Sequence, residues 1–279
     1  MDWYKTKTIF ILTFLVLNLF LAYQLYMKMD RNNIKTLGEQ PLEERLSNNN
    51  IKYKGKIPAY REDQTLISGQ RYSFTPDERK NYETKAIALA DSSTDMTLAF
   101  TIKKPIVMKK SRADVISQME NFLTDNVIRG KDYDFYKYDK EKKQIWFAQR
   151  YQEKPIFFDP VNYEKRNELT RNYEGSNGMI KFEFNDKNEV FRFTQTYLSI
   201  MRQGDWQEII SPKKALGRLL DMGYLDSGDK ITTIRLGYYS LASIEELQVY
   251  APTWSIETEK EHYMVNATDS KVLVLKGEE

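Results

Sequence analysis

IKFEFNDKNEVFRF, residues 180–193, decides how the soluble part of this chain reads. Ile180, Phe182 and Phe184 alternate with Lys181 and Glu183, the period of a strand with one buried face. Asn185–Asn188 supplies turn residues, and Phe191 and Phe193 alternate again on the return. The stretch predicts an antiparallel hairpin with its aromatic side against a core.

Working outward, the same layout returns at the C-terminus. Val265-x-Ala267-Thr268-Asp269 followed by Val272-Leu273 matches Phe182-x-Phe184-Asn185-Asp186 followed by Val190-Phe191, with a turn one residue shorter. Further strands are predicted at Tyr133–Tyr138, Ile145–Tyr151, Ile231–Tyr238, Leu247–Ala251 and Trp254–Thr258. Met96, Leu98, Phe100 and Ile102 alternate too, and pair across the Asp91–Asp95 turn with Ala86–Ala90.

Each of the two hairpins has a helix upstream. Ser111-x-x-Asp114 starts one like a capping box; Val115, Ile116, Met119, Phe122, Leu123 and Val127 form its apolar stripe, and Gly130 ends it. One hundred residues later Ser211 caps a second, with Pro212 at its first position, a stripe of Ala215, Leu216, Leu219 and Leu220, and Gly223 as its stop. The expected fold class is α+β, as two related helix-plus-antiparallel-sheet units over residues 39–205 and 206–279. The polar stretch Asp159–Asn177 reads as a surface excursion, and Pro41–Leu46 as a short helix broken at Asn48–Asn50.

The N-terminus is of another kind. No charge occurs from Thr8 to Met27, and a helix of that length spans roughly 30 Å, the thickness of a hydrocarbon core. A cleaved signal peptide would carry a shorter apolar region and a small-x-small cleavage site, and the exit through Tyr23–Lys28 offers none. The reading is a cytoplasmic or external tail 1–7, a transmembrane helix 8–27 and a linker 28–38. Lysines and arginines on both sides leave orientation open. Ile11, Phe14, Asn18, Ala22 and Leu25 share one helical face, where the Asn18 amide calls for a partner such as another helix. A partner at headgroup level or in its own backbone is the plainer alternative.

Composition excludes much chemistry. The chain of 279 residues has no cysteine, one histidine and a formal net charge of +2. Disulfides, thiolate metal sites and cysteine nucleophiles are therefore out, as are sites needing two imidazoles. No electrostatic footprint for nucleic acid is present. Phosphate-loop, G-x-S-x-G and H-E-x-x-H motifs are absent. His262, the one histidine for any triad, reads as a solvated strand position. Ser211-Pro212-Lys213-Lys214 satisfies S-x-x-K, but the companion Lys-Thr-Gly strand is missing, so Ser211 reads as a helix cap. Adjacent carboxylates at Glu43-Glu44, Glu245-Glu246 and Glu278-Glu279 read as solvated surface. No catalytic, cofactor or metal residue is assigned. Nineteen tyrosines could include an exposed docking patch.

The opening Met1-Asp2-Trp3, with Lys5-Thr6-Lys7-Thr8 running into Val16-Leu17-Asn18-Leu19-Phe20-Leu21, resembles the start of the YycI family. That family, related to YycH, comprises auxiliary regulators of the WalK/WalR cell-wall two-component system of low-GC Gram-positive bacteria. The resemblance implies a single-pass protein of the cell membrane, with the N-terminus cytoplasmic and residues beyond about 30 outside. It implies association with a YycH-like regulator and a WalK-like sensor histidine kinase, and no catalytic residues. A homodimer, and an external module binding a cell-wall fragment or peptide, stand as alternatives.

Overall fold

The computed structural model describes residues 3–33, 41–53, 55–82, 86–159, 178–244 and 247–275. The chain divides into two compact units, Met1–Asn50 and Ile51–Glu279.

The first unit is helical. α1 runs from Trp3 to Asn33, and its segment Thr6–Gln24 is long and apolar enough to cross a bilayer. The helix continues beyond Met27 into the expected linker, because Lys28–Asn33 holds neither proline nor glycine to stop it. α2, Leu42–Asn48, follows Pro41 and carries Glu43 and Glu44 in its first turn, where the helix dipole favours acids.

The second unit is sheet-rich. Its elements in order are β1 (Lys52–Tyr53), β2 (Asp63–Arg71), α3 (Pro76–Asn81), β3 (Ile87–Leu89), β4 (Leu98–Val107), α4 (Arg112–Asn126), β5 (Tyr133–Asp139), β6 (Gln144–Tyr151) and β7 (Lys154–Phe157). After residues 160–177, where most of the expected surface excursion lies outside the described residues, come β8 (Met179–Phe184), β9 (Glu189–Thr196), β10 (Leu198–Glu208), α5 (Pro212–Asp221), β11 (Lys230–Ile244), β12 (Leu247–Thr258), β13 (His262–Asn266) and β14 (Val272–Leu275). The sheet is mostly antiparallel, with α4 packed on the core of one half, so the fold is α+β.

Strand order is β10-β2-β12-β11-β7-β6-β8-β9-β4-β3, with β5 on β6, β1 on β11, β13 on β12 and β14 on β13. Two antiparallel halves meet at the short β7. It pairs antiparallel with β6, Arg150 opposite Pro155, and parallel with β11, Tyr238 opposite Ile156. The approach is tight: a Cβ on Gly237 would collide with the Pro155 carbonyl oxygen. β2 lies between β10 and β12, so the first long strand of the unit is held by two of its late ones.

The hairpin at 180–193 forms as β8 and β9, with Phe182 opposite Phe193. A bulge departs from simple alternation: Phe184 pairs with Val190, so Val190 is buried and Phe191 is turned to the half-exposed side. Phe193 stacks on Phe100 at 4.7 Å and meets Phe182 at 5.2 Å, and α4 lays Val115, Met119 and Leu123 on the same core. Ser111 caps α4, accepting from the Asp114 N–H at 3.1 Å. α4 ends at Asn126, before Gly130, which opens a 3-10 turn over Gly130–Asp132.

In the other half, Ala215, Leu216 and Leu219 of α5 are buried. The Trp254 indole donates to the Ile210 carbonyl at 2.8 Å, tying β12 to the segment before α5. The two strands expected at Leu247–Ala251 and Trp254–Thr258 are one, β12. Pro252 falls where the neighbour on one edge changes, from β2 at Leu247–Tyr250 to β13 at Thr253–Glu257, while on the other edge it stays opposite Tyr238 of β11. The expected β3–β4 hairpin is present with Leu89 opposite Phe100, although Met96 precedes the strand.

Candidate functional site

Along α1, one face is a shallow concavity lined by Phe10, Ile11, Phe14, Leu15, Asn18, Leu19 and Ala22. Four of the five residues expected to share a face, Ile11, Phe14, Asn18 and Ala22, lie on it together. The side chain of Leu25 lies outside the described residues. Ile11 and Phe14 are 60% and 66% exposed.

Polar groups along the span differ in how they are satisfied. The Thr8 hydroxyl donates to the Tyr4 carbonyl at 3.0 Å, and the Thr13 hydroxyl to the Ile9 carbonyl at 2.9 Å. Each closes its hydrogen bond within the helix, four residues back. The Asn18 amide makes no such bond among the described residues. An amide carries two N–H donors and a carbonyl acceptor, and in hydrocarbon it gains by meeting a partner on another helix.

In the second unit, the residues weighed for catalysis take structural roles. The Ser211 hydroxyl accepts from the Lys214 N–H at 3.1 Å as the cap of α5. His262 is not solvated as expected: its side chain is 23% exposed and its Nε2 lies 2.8 Å from the Ser255 hydroxyl. The reason is a cover over the face opposite Val265. Arg235 of β11 reaches the Glu257 carboxylate at 3.5 Å and the Phe135 carbonyl of β5 at 3.4 Å. Burial holds the imidazole below its ordinary pKa. Glu257 stands 3.9 Å from Nε2, the nitrogen already facing Ser255. A catalytic triad places its carboxylate at the other ring nitrogen, so Glu257 is not placed as a triad acid. Among the described residues no group of three or more His, Asp or Glu is placed to hold a metal ion. Glu43 and Glu44 sit in α2, and the other two glutamate pairs lie outside the described residues.

A second aromatic cluster escaped the sequence. Arg129, at φ 60°, sets its guanidinium 4.2 Å from the Tyr72 ring and 4.6 Å from the Tyr197 ring. Tyr72 donates to Glu78 at 2.8 Å and Tyr197 to Asp132 at 2.9 Å. Burial, then the bond to Asp132, pushes the Tyr197 phenol up to about 12. The Thr75 N–H donates to the Glu78 carboxylate, which holds that group below its usual range. The cluster joins the corner after β2 to the corner between β9 and β10. Residues separated by more than a hundred positions carry it, and no local pattern announces it.

The family described as YycI protein matches residues 31–268. No curated protein matches the chain. Among solved structures, an uncharacterized protein from Eubacterium rectale is similar at TM-score 0.44 and 9% identity, over 81% of this chain and 86% of that one. YycH from Bacillus subtilis is similar at TM-score 0.40 and 12% identity, over 76% of this chain and 53% of that one. The YpeB C-terminal domain from Bacillus megaterium is similar at TM-score 0.41 and 14% identity, over 74% and 99%.

Proposed function

The chain belongs to the YycI family, and from that membership we propose that it is a membrane-anchored regulator without enzymatic activity. In this reading α1 crosses the cell membrane once, with the N-terminus cytoplasmic and the second unit outside. Together with a YycH-like partner it modulates the sensor histidine kinase of the WalK/WalR cell-wall system. One observation supports α1 as the recognition element: the unbonded Asn18 amide sits on an exposed apolar face with Ile11, Phe14 and Ala22. Ala22 allows a neighbouring helix to approach closely, and the amide favours one register over others.

Such a regulator works by differential affinity. If α1 binds one signalling state of the kinase more tightly, it shifts the kinase equilibrium by that difference and no further. The test is co-purification from membranes of the full-length protein, of Asn18→Leu, and of a chain whose residues 8–27 are replaced by an unrelated anchor. Loss of kinase and YycH-like partner in both variants supports recognition through α1. Retention of both partners and of signalling in Asn18→Leu overturns the role of that face.

A further inference from the structure

One end of the second unit gathers lysines from three loops far apart in sequence. Residues 103–112 hold five cations and no carboxylate. The sheet brings two turns beside them. The Met108 N–H donates to the Asn188 carbonyl at 2.9 Å, placing the β8–β9 turn next to this segment. The Phe184 N–H donates to the Lys143 carbonyl at 3.0 Å, and Lys143 pairs with Asp186, which adds the β5–β6 turn. Over residues 103–112, 140–143 and 185–188 there are nine cations against two carboxylates, Glu141 and Asp186, and Asp114, Asp139 and Glu189 bond into the edges of these turns, giving nine against five. On a chain of net charge +2, that is a marked local excess.

The rim is rigidly presented and has an apolar point. Gln118 of α4 donates to the Val107 carbonyl at 3.0 Å and accepts from the Lys109 N–H at 3.2 Å. This clamp fixes the loop backbone on both sides of Met108. Val107 is 65% exposed between exposed Lys103 and Lys104 on one side and Lys109 and Lys110 on the other.

We propose that this rim docks on a bilayer surface rich in anionic phospholipid, lysines at the phosphates and Val107 dipping among the headgroups. Charge complementarity favours that occupant, and lysine stems lie along apolar surface while their ammonium groups reach anionic heads. The chain's own anchor supplies the surface. The segment between Asn33 and Ile51 reaches no further than roughly 60 Å fully drawn out, so the start of the second unit is tethered within that distance of the end of α1. The consequence is a second membrane contact that restrains the unit beyond its tether. The proposal rests on α1 being the anchor, which incorporation of the protein into lipid nanodiscs reports separately.

The absence of cysteine permits a clean probe. Val107→Cys carries a nitroxide in the full-length protein, in nanodiscs of phosphatidylcholine alone or with a third of phosphatidylglycerol. Contact appears as preferential relaxation by lipid-soluble oxygen over an aqueous nickel chelate. The expected result is oxygen preference in the anionic discs, abolished in phosphatidylcholine, in high salt and by Lys109→Glu with Lys110→Glu. Each lysine near an anionic surface strengthens docking roughly fivefold, so two reversals lower it by well over tenfold. A label at Lys80→Cys stays aqueous throughout. Aqueous preference at position 107 in both disc types overturns the proposal, as does an oxygen preference that survives the charge reversals.

Discussion

The Ser255 hydroxyl and the His262 Nε2 lie 2.8 Å apart on neighbouring strands, β12 and β13, beneath Arg235. Burial depresses the imidazole, while Glu257 and Asp159 favour its charged form and Arg235 and Lys137 oppose it. A histidine whose folded pKa is lowered binds protons more readily in the unfolded chain. Its stabilising effect is present above the unfolded value of about 6.5 and is lost as pH falls through it toward the folded value. Thermal melts between pH 7.5 and 5 should show a declining midpoint, and His262→Gln should flatten that decline. An unchanged slope in the variant would remove His262 from the pH response.

Phe193 is buried at the crossing of β9 with the α4 core, touching Phe100, Phe182 and Phe122. Phe193→Ala leaves a cavity among rigid rings that cannot collapse into it. A loss of about 3–5 kcal/mol is expected in urea denaturation.

Gly237 marks the close approach of β11 to β7. An added methyl meets the Pro155 carbonyl and the Phe157 ring, and the seam between the two half-sheets must open to admit it. Gly237→Ala should cost about 1–3 kcal/mol, read as a lower midpoint in calorimetry. Full wild-type stability would show that the seam yields freely.

Ser211→Ala separates a cap from a nucleophile. Removing a capping hydroxyl costs about 1 kcal/mol of stability. The wild-type protein should show no covalent adduct with a penicillin by intact-mass measurement, because Ser211 is bonded to the first turn of α5. An adduct lost in the variant would refute the structural assignment.

Elements that carry their own signals were legible in sequence. Ser111 and Ser211 announce their helices, and Leu98, Phe100 and Ile102 or Ile180, Phe182 and Phe184 announce half-buried strands. β2, DQTLISGQR, was not visible. Its Gln64, Thr65 and Ser68 are buried, and polar residues in a core leave no apolar alternation to read. The Ser68 hydroxyl accepts from the Gln203 amide of β10, at 2.7 Å and 135 positions away. β10 escaped for the opposite reason: most of its residues are exposed, so neither face is marked. On α1, the shared face of Ile11, Phe14, Asn18 and Ala22 follows from helical spacing alone. What covers that face is not written in the helix.

The placement of β2 between β10 and β12 also sets a timetable. A ribosome releases residues 63–71 long before residues 198–208 and 247–250 exist, so β2 waits without either strand neighbour while most of the chain is made. The unit therefore closes only once β12 has been made. A chain cut short before β12 would leave this strand half-paired, an open edge that proteases and other strands can seize.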